Sequence, residues 1–154
     1  MAASSYITNA AKGGWANGSL CLWSSTTASF YITLLSNNIT PAETQIYMSA
    51  FSGAELSSTS FTGGFNGTMR ISLTGRVLNI NQTSNQAEFQ ANTVVWSGIS
   101  AGVAHAFVVI QQSGADARSE IVMFNSLGGF PITTNGTNLT ISFTSAGALA
   151  LIDY

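Results

Sequence analysis

The stretch Val103-Ala104-His105-Ala106-Phe107-Val108-Val109-Ile110-Gln111-Gln112 leads into Ser113-Gly114-Ala115-Asp116-Ala117-Arg118 and then Glu120-Ile121-Val122-Met123-Phe124. The first run is apolar at consecutive positions, so it offers apolar side chains to both faces of an extended backbone. Such a strand must be covered on both sides, which places it centrally in a layered fold. The middle run has turn composition, and the third returns as a strand. Together they predict an antiparallel hairpin with a loop of about six residues.

Working outward, strand signals dominate both flanks. Phe30-Tyr31-Ile32-Thr33-Leu34-Leu35 is aromatic and β-branched and stops at Ser36-Asn37-Asn38. In Met69-Arg70-Ile71-Ser72-Leu73-Thr74 the apolar residues alternate with polar ones, as in a half-buried strand, and Gly75 ends the run. Val77 to Gln82, Ala87 to Phe89 and Thr93 to Trp96 continue the pattern. Asn135-Gly136 signals a turn before the alternating segment 138–143, and residues 148–152 close the chain. Helical spacing is weak throughout. The best short helix candidate is Pro41 to Gln45, with Thr40 as N-cap and Pro41 in the first helical position.

About eight to ten short strands punctuated by Gly, Asn and Ser predict an all-β fold, an antiparallel β-sandwich of jelly-roll or Ig-like kind. At 154 residues the chain is one domain in size. It is long enough to bury roughly 70% of its unfolded surface without disulfides. The sequence divides into residues 1–28, an N-terminal arm or extended segment, and residues 29–154, the β-sandwich domain. The first part is rich in Ala, Ser, Gly and Asn yet carries Tyr6, Trp15, Leu20, Leu22 and Trp23. Two readings stay open for it. Its rings dock on a neighbouring subunit, or Leu20 to Trp23 forms the first strand of this chain's own core.

Composition excludes several functions. Only 6% of residues are charged and the net charge is −2, against about 25% charged in an average soluble domain. Lys12, Arg70, Arg76 and Arg118 are the only cations, too few for the electrostatic footprint of a nucleic-acid binder or of polybasic membrane attachment. No apolar run approaches the roughly 20 residues of a spanning helix. Residues 1–24 lack the basic start and unbroken apolar stretch of a signal peptide, so a cytoplasmic site of synthesis is expected. Ser, Thr, Asn and Gly fill 65 positions (21, 17, 12 and 15). Such a surface has little like-charge repulsion to keep copies apart, which favours an assembled protein.

The chemistry of catalysis is missing. The lone His105 lies within an apolar strand, and no Gly-x-Ser-x-Gly elbow accompanies it. The single Cys21 rules out an internal disulfide and a cysteine-based zinc site. Calcium loops and phosphate-binding glycine loops are absent. Asp116 and Arg118 read as hairpin-turn chemistry, and Glu120 as an exposed strand residue. The scarce Arg70 and Arg76 are expected to pair with Glu55, Glu88 or a partner's acidic patch. No catalytic residue, metal site or cofactor is expected.

The order of motifs carries a resemblance over residues 30–152. Ile32-Thr33-Leu34-Leu35 leads to Ala54-Glu55-Leu56-Ser57, then Gly63-Gly64-Phe65 and Met69-Arg70-Ile71-Ser72-Leu73. Asn92-Thr93-Val94-Val95-Trp96, the hairpin at 103–124, Gly128-Gly129-Phe130 and a last strand pair after Gly136 follow. This order resembles small structural proteins of tailed-bacteriophage virions. The resemblance implies a non-enzymatic virion component that decorates the capsid or sits on tail and fibre assemblies, commonly as a trimer. A lone compact domain without coiled-coil heptads points to capsid decoration, with the major capsid protein as partner and binding at capsomer junctions. Tyr6, Trp15, Leu20, Trp23, Arg70 and Arg76 are the expected partner contacts. The alternative is a carbohydrate- or receptor-binding module of a tail, baseplate or fibre. In it Trp96, Phe65 and Phe130 stack on sugar rings, and Asn66 or Asn135 supplies hydrogen bonds.

Overall fold

The computed structural model describes residues 5–18, 23–36, 39, 42–51, 53–56, 70–83, 86–99, 101–127 and 129–143. Among them are eleven strands and one α-helix, and every strand pairing is antiparallel. The fold is all-β.

Five strands form the main sheet: β1 (Ser5–Ile7), β2 (Phe30–Leu35), β3 (Ile71–Ser72), β8 (Ala106–Gln111) and β9 (Glu120–Asn125), in the order β1-β9-β8-β2-β3. The doubly apolar run read from the sequence sits in the middle, and Ala106 to Ile110 are all buried. Alternation then divides the sheet between two cores. Ile32, Leu34, Phe107 and Val109 face one of them, while Leu35, Ala106, Val108 and Ile110 face the other. Opposite Val109 and Ile110 the pairing slips by one residue, from Met123 to Ile121. This bulge sends the consecutive residues Val122 and Met123 into the same core.

The predicted single strand 103–112 is in fact two. The ladder breaks at His105, whose N–H donates to the Leu35 carbonyl at 2.8 Å. Gly102–Ala104 becomes β7 and leaves the main sheet to pair with β10 (Ile132–Thr134). The Asn135-Gly136 turn forms, with Gly136 at φ 91°. It does not join paired strands, because β11 (Leu139–Ile141) pairs with β6 (Val94–Trp96) instead. The remaining ribbon is β4 (Val77–Asn81) with β5 (Gln86–Gln90).

These ribbons close the first core, contributing Phe89, Val94, Trp96 and Leu139. The second core is closed by a 3₁₀ turn, Met48–Phe51, which inserts Met48 and Phe51 under Phe124. Each large side chain so buried is worth about 1.5–3 kcal/mol over its exposed state.

Of the helix expected at 41–45, Pro41 and its N-cap Thr40 lie outside the described residues, and residues 42–45 are not helical. The described part is an isolated turn, in which the Gln45 N–H donates to the Ala42 carbonyl at 3.0 Å. The one α-helix, α1, spans Asn9–Asn17. It includes Gly13 and Gly14, so propensity alone would not hold it. Capping and packing do. Thr8 is fully buried as the N-cap: its Oγ1 accepts from the Ala11 N–H at 3.1 Å and donates to the Ile121 carbonyl at 2.6 Å. Gly18 in the left-handed region at φ 76° ends the helix.

Candidate contact surface and the scarce charges

With so few charged residues, each ion's position is informative. Arg70 lies just before β3 and grips Glu55 at two points, Nε to Oε1 at 2.7 Å and Nη2 to Oε2 at 2.8 Å. Its Nη1 reaches Asp116 Oδ1 at 2.8 Å. The Thr33 hydroxyl donates to Glu55 Oε1 at 3.0 Å. Glu55 is buried, and these three donors compensate for its lost hydration. Hydrogen bonding to Glu55 raises the Arg70 pKa further above its ordinary value. The expected pairing of Arg70 with Glu55 is present within the chain. Asp116, read from the sequence as part of the hairpin turn, lies in the 112–119 loop and ties it to Arg70.

Arg76 is held without any carboxylate. Its Nε donates to the Trp23 carbonyl at 2.8 Å, Nη1 to the Leu73 carbonyl, and Nη2 to the carbonyls of Ser25 and Ala28. The guanidinium carbon lies 4.8 Å from the Phe30 ring centroid. Burial lowers its pKa from the ordinary value. One residue thus gathers the loop that follows Trp23. Next to it, Gly75 takes φ +61°, and a Cβ there would lie 2.4 Å from the side-chain oxygen of Asn92.

Tyr6, Trp15 and Trp23, expected as partner contacts, lie against this chain's own core; Trp23 stands in a turn and not in a strand, and residues 20–22 lie outside the described residues. Tyr6 sits in β1 and stacks on Phe124 with ring centroids 5.2 Å apart. Its hydroxyl is buried and makes no well-formed hydrogen bond to the described residues, and burial pushes its pKa up to about 12. Trp15 stacks on Phe89 at 5.0 Å, and buried Trp23 meets the same ring edge-on at 5.5 Å. The Trp23 indole N–H donates to the Gln90 carbonyl at 2.9 Å. Leu20 and Cys21 lie outside the described residues, as do Phe65 and Asn66. Trp96 is 1% exposed, so its ring cannot stack on a sugar, and Phe130 packs on Phe107 at 5.9 Å. Asn135 Oδ1 is engaged by the Thr137 hydroxyl at 2.8 Å.

Sequence reasoning did not single out the most exposed apolar element. In the β4–β5 ribbon, Leu78 pairs with Phe89 and Ile80 with Ala87, so Leu78, Ile80 and Phe89 share one face. Phe89 is buried in the first core, whereas Leu78 is 40% and Ile80 59% exposed. The core-facing side of the ribbon therefore runs past the edge of the core. Val77, on the opposite face, is 52% exposed. The only carboxylate of the ribbon, Glu88, is buried and accepts from Asn79 Nδ2 at 3.0 Å. The alternation of residues 77–82 held the signal: apolar positions on both faces, with no charge among them.

Among the described residues no cluster of His, Cys, Asp and Glu is arranged to hold a metal ion, and no helix is long and apolar enough to cross a membrane. Comparison with known proteins finds no matching family model, no matching curated protein and no matching solved structure.

Proposed function

We propose that the protein is a non-enzymatic structural component of a bacteriophage virion that decorates the capsid. In this reading it binds the major capsid protein at capsomer junctions, as a trimer. The overhanging apolar face of the β4–β5 ribbon carries the reading on the structural side. A charge-poor domain that leaves Leu78 and Ile80 beyond the edge of its core is suited to association by contact. The order of sequence motifs from residue 30 to 152 supports the virion context.

The location of the aromatic residues of 5–28 changes the mode of attachment. Tyr6, Trp15 and Trp23 are used within the chain, so the ribbon takes the role of anchor. The test is cosedimentation of the purified protein with undecorated, expanded capsids of the phage that encodes it, with bound copies counted per shell. Saturation at three copies for every three-fold position is the expected result. Failure to bind at any concentration overturns capsid decoration.

A further inference from the structure

Beside Arg76 the surface opens into a depression of about 420 Å³, formed where the segment 24–29 faces residues 72–76. Its size falls at the small end of the range of about 300–1,000 Å³ typical of ligand sites. Ser24, Ser25, Thr26, Ser29, Ser72 and Thr74 are among the lining residues, and each hydroxyl can donate and accept. Among the described residues Arg76 supplies the only formal charge of the lining. Four of its N–H groups are committed to carbonyls, which leaves one Nη1 hydrogen with no partner among the described residues.

We infer that this depression binds a small sugar acid, its carboxylate on the remaining Nη1 hydrogen of Arg76 and its hydroxyls on the Ser and Thr side chains of the lining. No aromatic ring lines the site among the described residues, so a neutral sugar gains only exchangeable hydrogen bonds from them. A carboxylate adds a charge-assisted bond to a guanidinium that has no acidic partner among the described residues. The four carbonyls around Arg76 hold it in place but oppose an incoming anion, so affinity in the millimolar range follows. The inference is independent of capsid binding, since the site lies between the 24–29 segment and β3 and not on the apolar face of the ribbon.

The test is a titration of the full chain followed by amide chemical shifts, with glucuronate, glucose and sodium sulfate as separate probes. The expected result is saturable shifts confined to residues 24–29 and 72–76. Glucuronate should bind at least about tenfold more tightly than glucose or sulfate, a difference of about 1.4 kcal/mol. Equal binding of glucose removes the role of Arg76, and equal binding of sulfate removes the role of the hydroxyls. Either outcome overturns the inference, as does the absence of shifts with glucuronate up to about 50 mM. S72V removes one lining hydroxyl at an exposed strand position that tolerates a β-branched residue. It should stay folded and weaken glucuronate severalfold; unchanged affinity would count against the site.

Discussion

Glu55 and Arg70 meet in two parallel hydrogen bonds, 2.7 and 2.8 Å long, and the same guanidinium reaches Asp116 at 2.8 Å. Three segments that are distant in sequence converge on this one cation: the turn after the 3₁₀ helix, the start of β3 and the hairpin loop. The Glu55 side chain is 7% exposed and that of Arg70 19%. The pair is therefore far less screened by solvent than a surface ion pair.

Removing the cation should leave Glu55 charged, buried and short of donors. R70A is expected to lose about 2–3 kcal/mol in denaturant unfolding, somewhat under the value for a wholly buried pair. The double variant E55M/R70M should lose less than R70A alone, because no ion is then stranded. A double variant worse than R70A would show that the pair stabilises the fold outright.

Truncation before residue 19 should abolish cooperative folding. It strips β1 from the edge of β9 and removes Ile7, Ala11 and the Trp15 ring from the first core. Several side chains at about 1.5–3 kcal/mol each approach the whole stability of a domain, about 5–15 kcal/mol. A truncated chain with native near-ultraviolet dichroism would instead mark the segment as a detachable arm.

Glu120 should make stability fall as pH rises. Burial raises its pKa in the folded state above the ordinary value of 4.5. The folded protein therefore holds the proton more tightly than the unfolded chain. The penalty is absent below pH 4.5, grows as pH passes through the folded value, and is constant above it. E120Q should raise the melting temperature at neutral pH, and the gap from the parent should close in acid. A constant gap across that range would assign the gain to something other than titration.

Gly75 should not tolerate a side chain. G75A combines a positive φ of 61° with a Cβ placed 2.4 Å from the Asn92 oxygen, whose amide also donates to Thr74 Oγ1 at 3.1 Å. A loss of about 1–3 kcal/mol is expected from strain and displaced hydrogen bonding. N92G/G75A should recover part of it, which a thermal melt of the three proteins would reveal.

The ribbon should be the place where contact and stability come apart. I80K and L78K alter exposed positions, so stability should stay within about 0.5 kcal/mol of the parent. Capsid cosedimentation should weaken at least about tenfold, or 1.4 kcal/mol. Undiminished binding by both variants would move the anchor elsewhere on the surface.

Much of the framework was legible in the sequence. The run ending at Gln112 announced a strand covered on both faces, and the turn composition of 113–118 announced the hairpin that β8 and β9 form. Gly75 was recognisable as a break between strands, although β3, expected over 69–74, spans only Ile71–Ser72 among the described residues. The pairing of Arg70 with Glu55 was within reach because cations are scarce and guanidinium geometry matches a carboxylate. The helix at Asn9–Asn17 was not legible, since two glycines mask its pattern and its N-cap is secured by the distant Ile121. The break at His105 was equally hidden, because nothing in an apolar run says where a strand changes partners.

Strand identity depends on alternation, a local property of the backbone, so the sequence by itself determined the all-β class, the central strand and a surface nearly free of charge. Which strand lies beside which is a non-local choice, settled by how shapes and hydrogen bonds fit across the whole chain. Tertiary structure alone therefore decided that Tyr6, Trp15 and Trp23 pack inward and that Arg76 is spent on four carbonyls. It likewise decided that the face shared by Phe89, Leu78 and Ile80 starts in the core and ends in solvent, because burial depends on what lies underneath a residue and not on its neighbours in sequence.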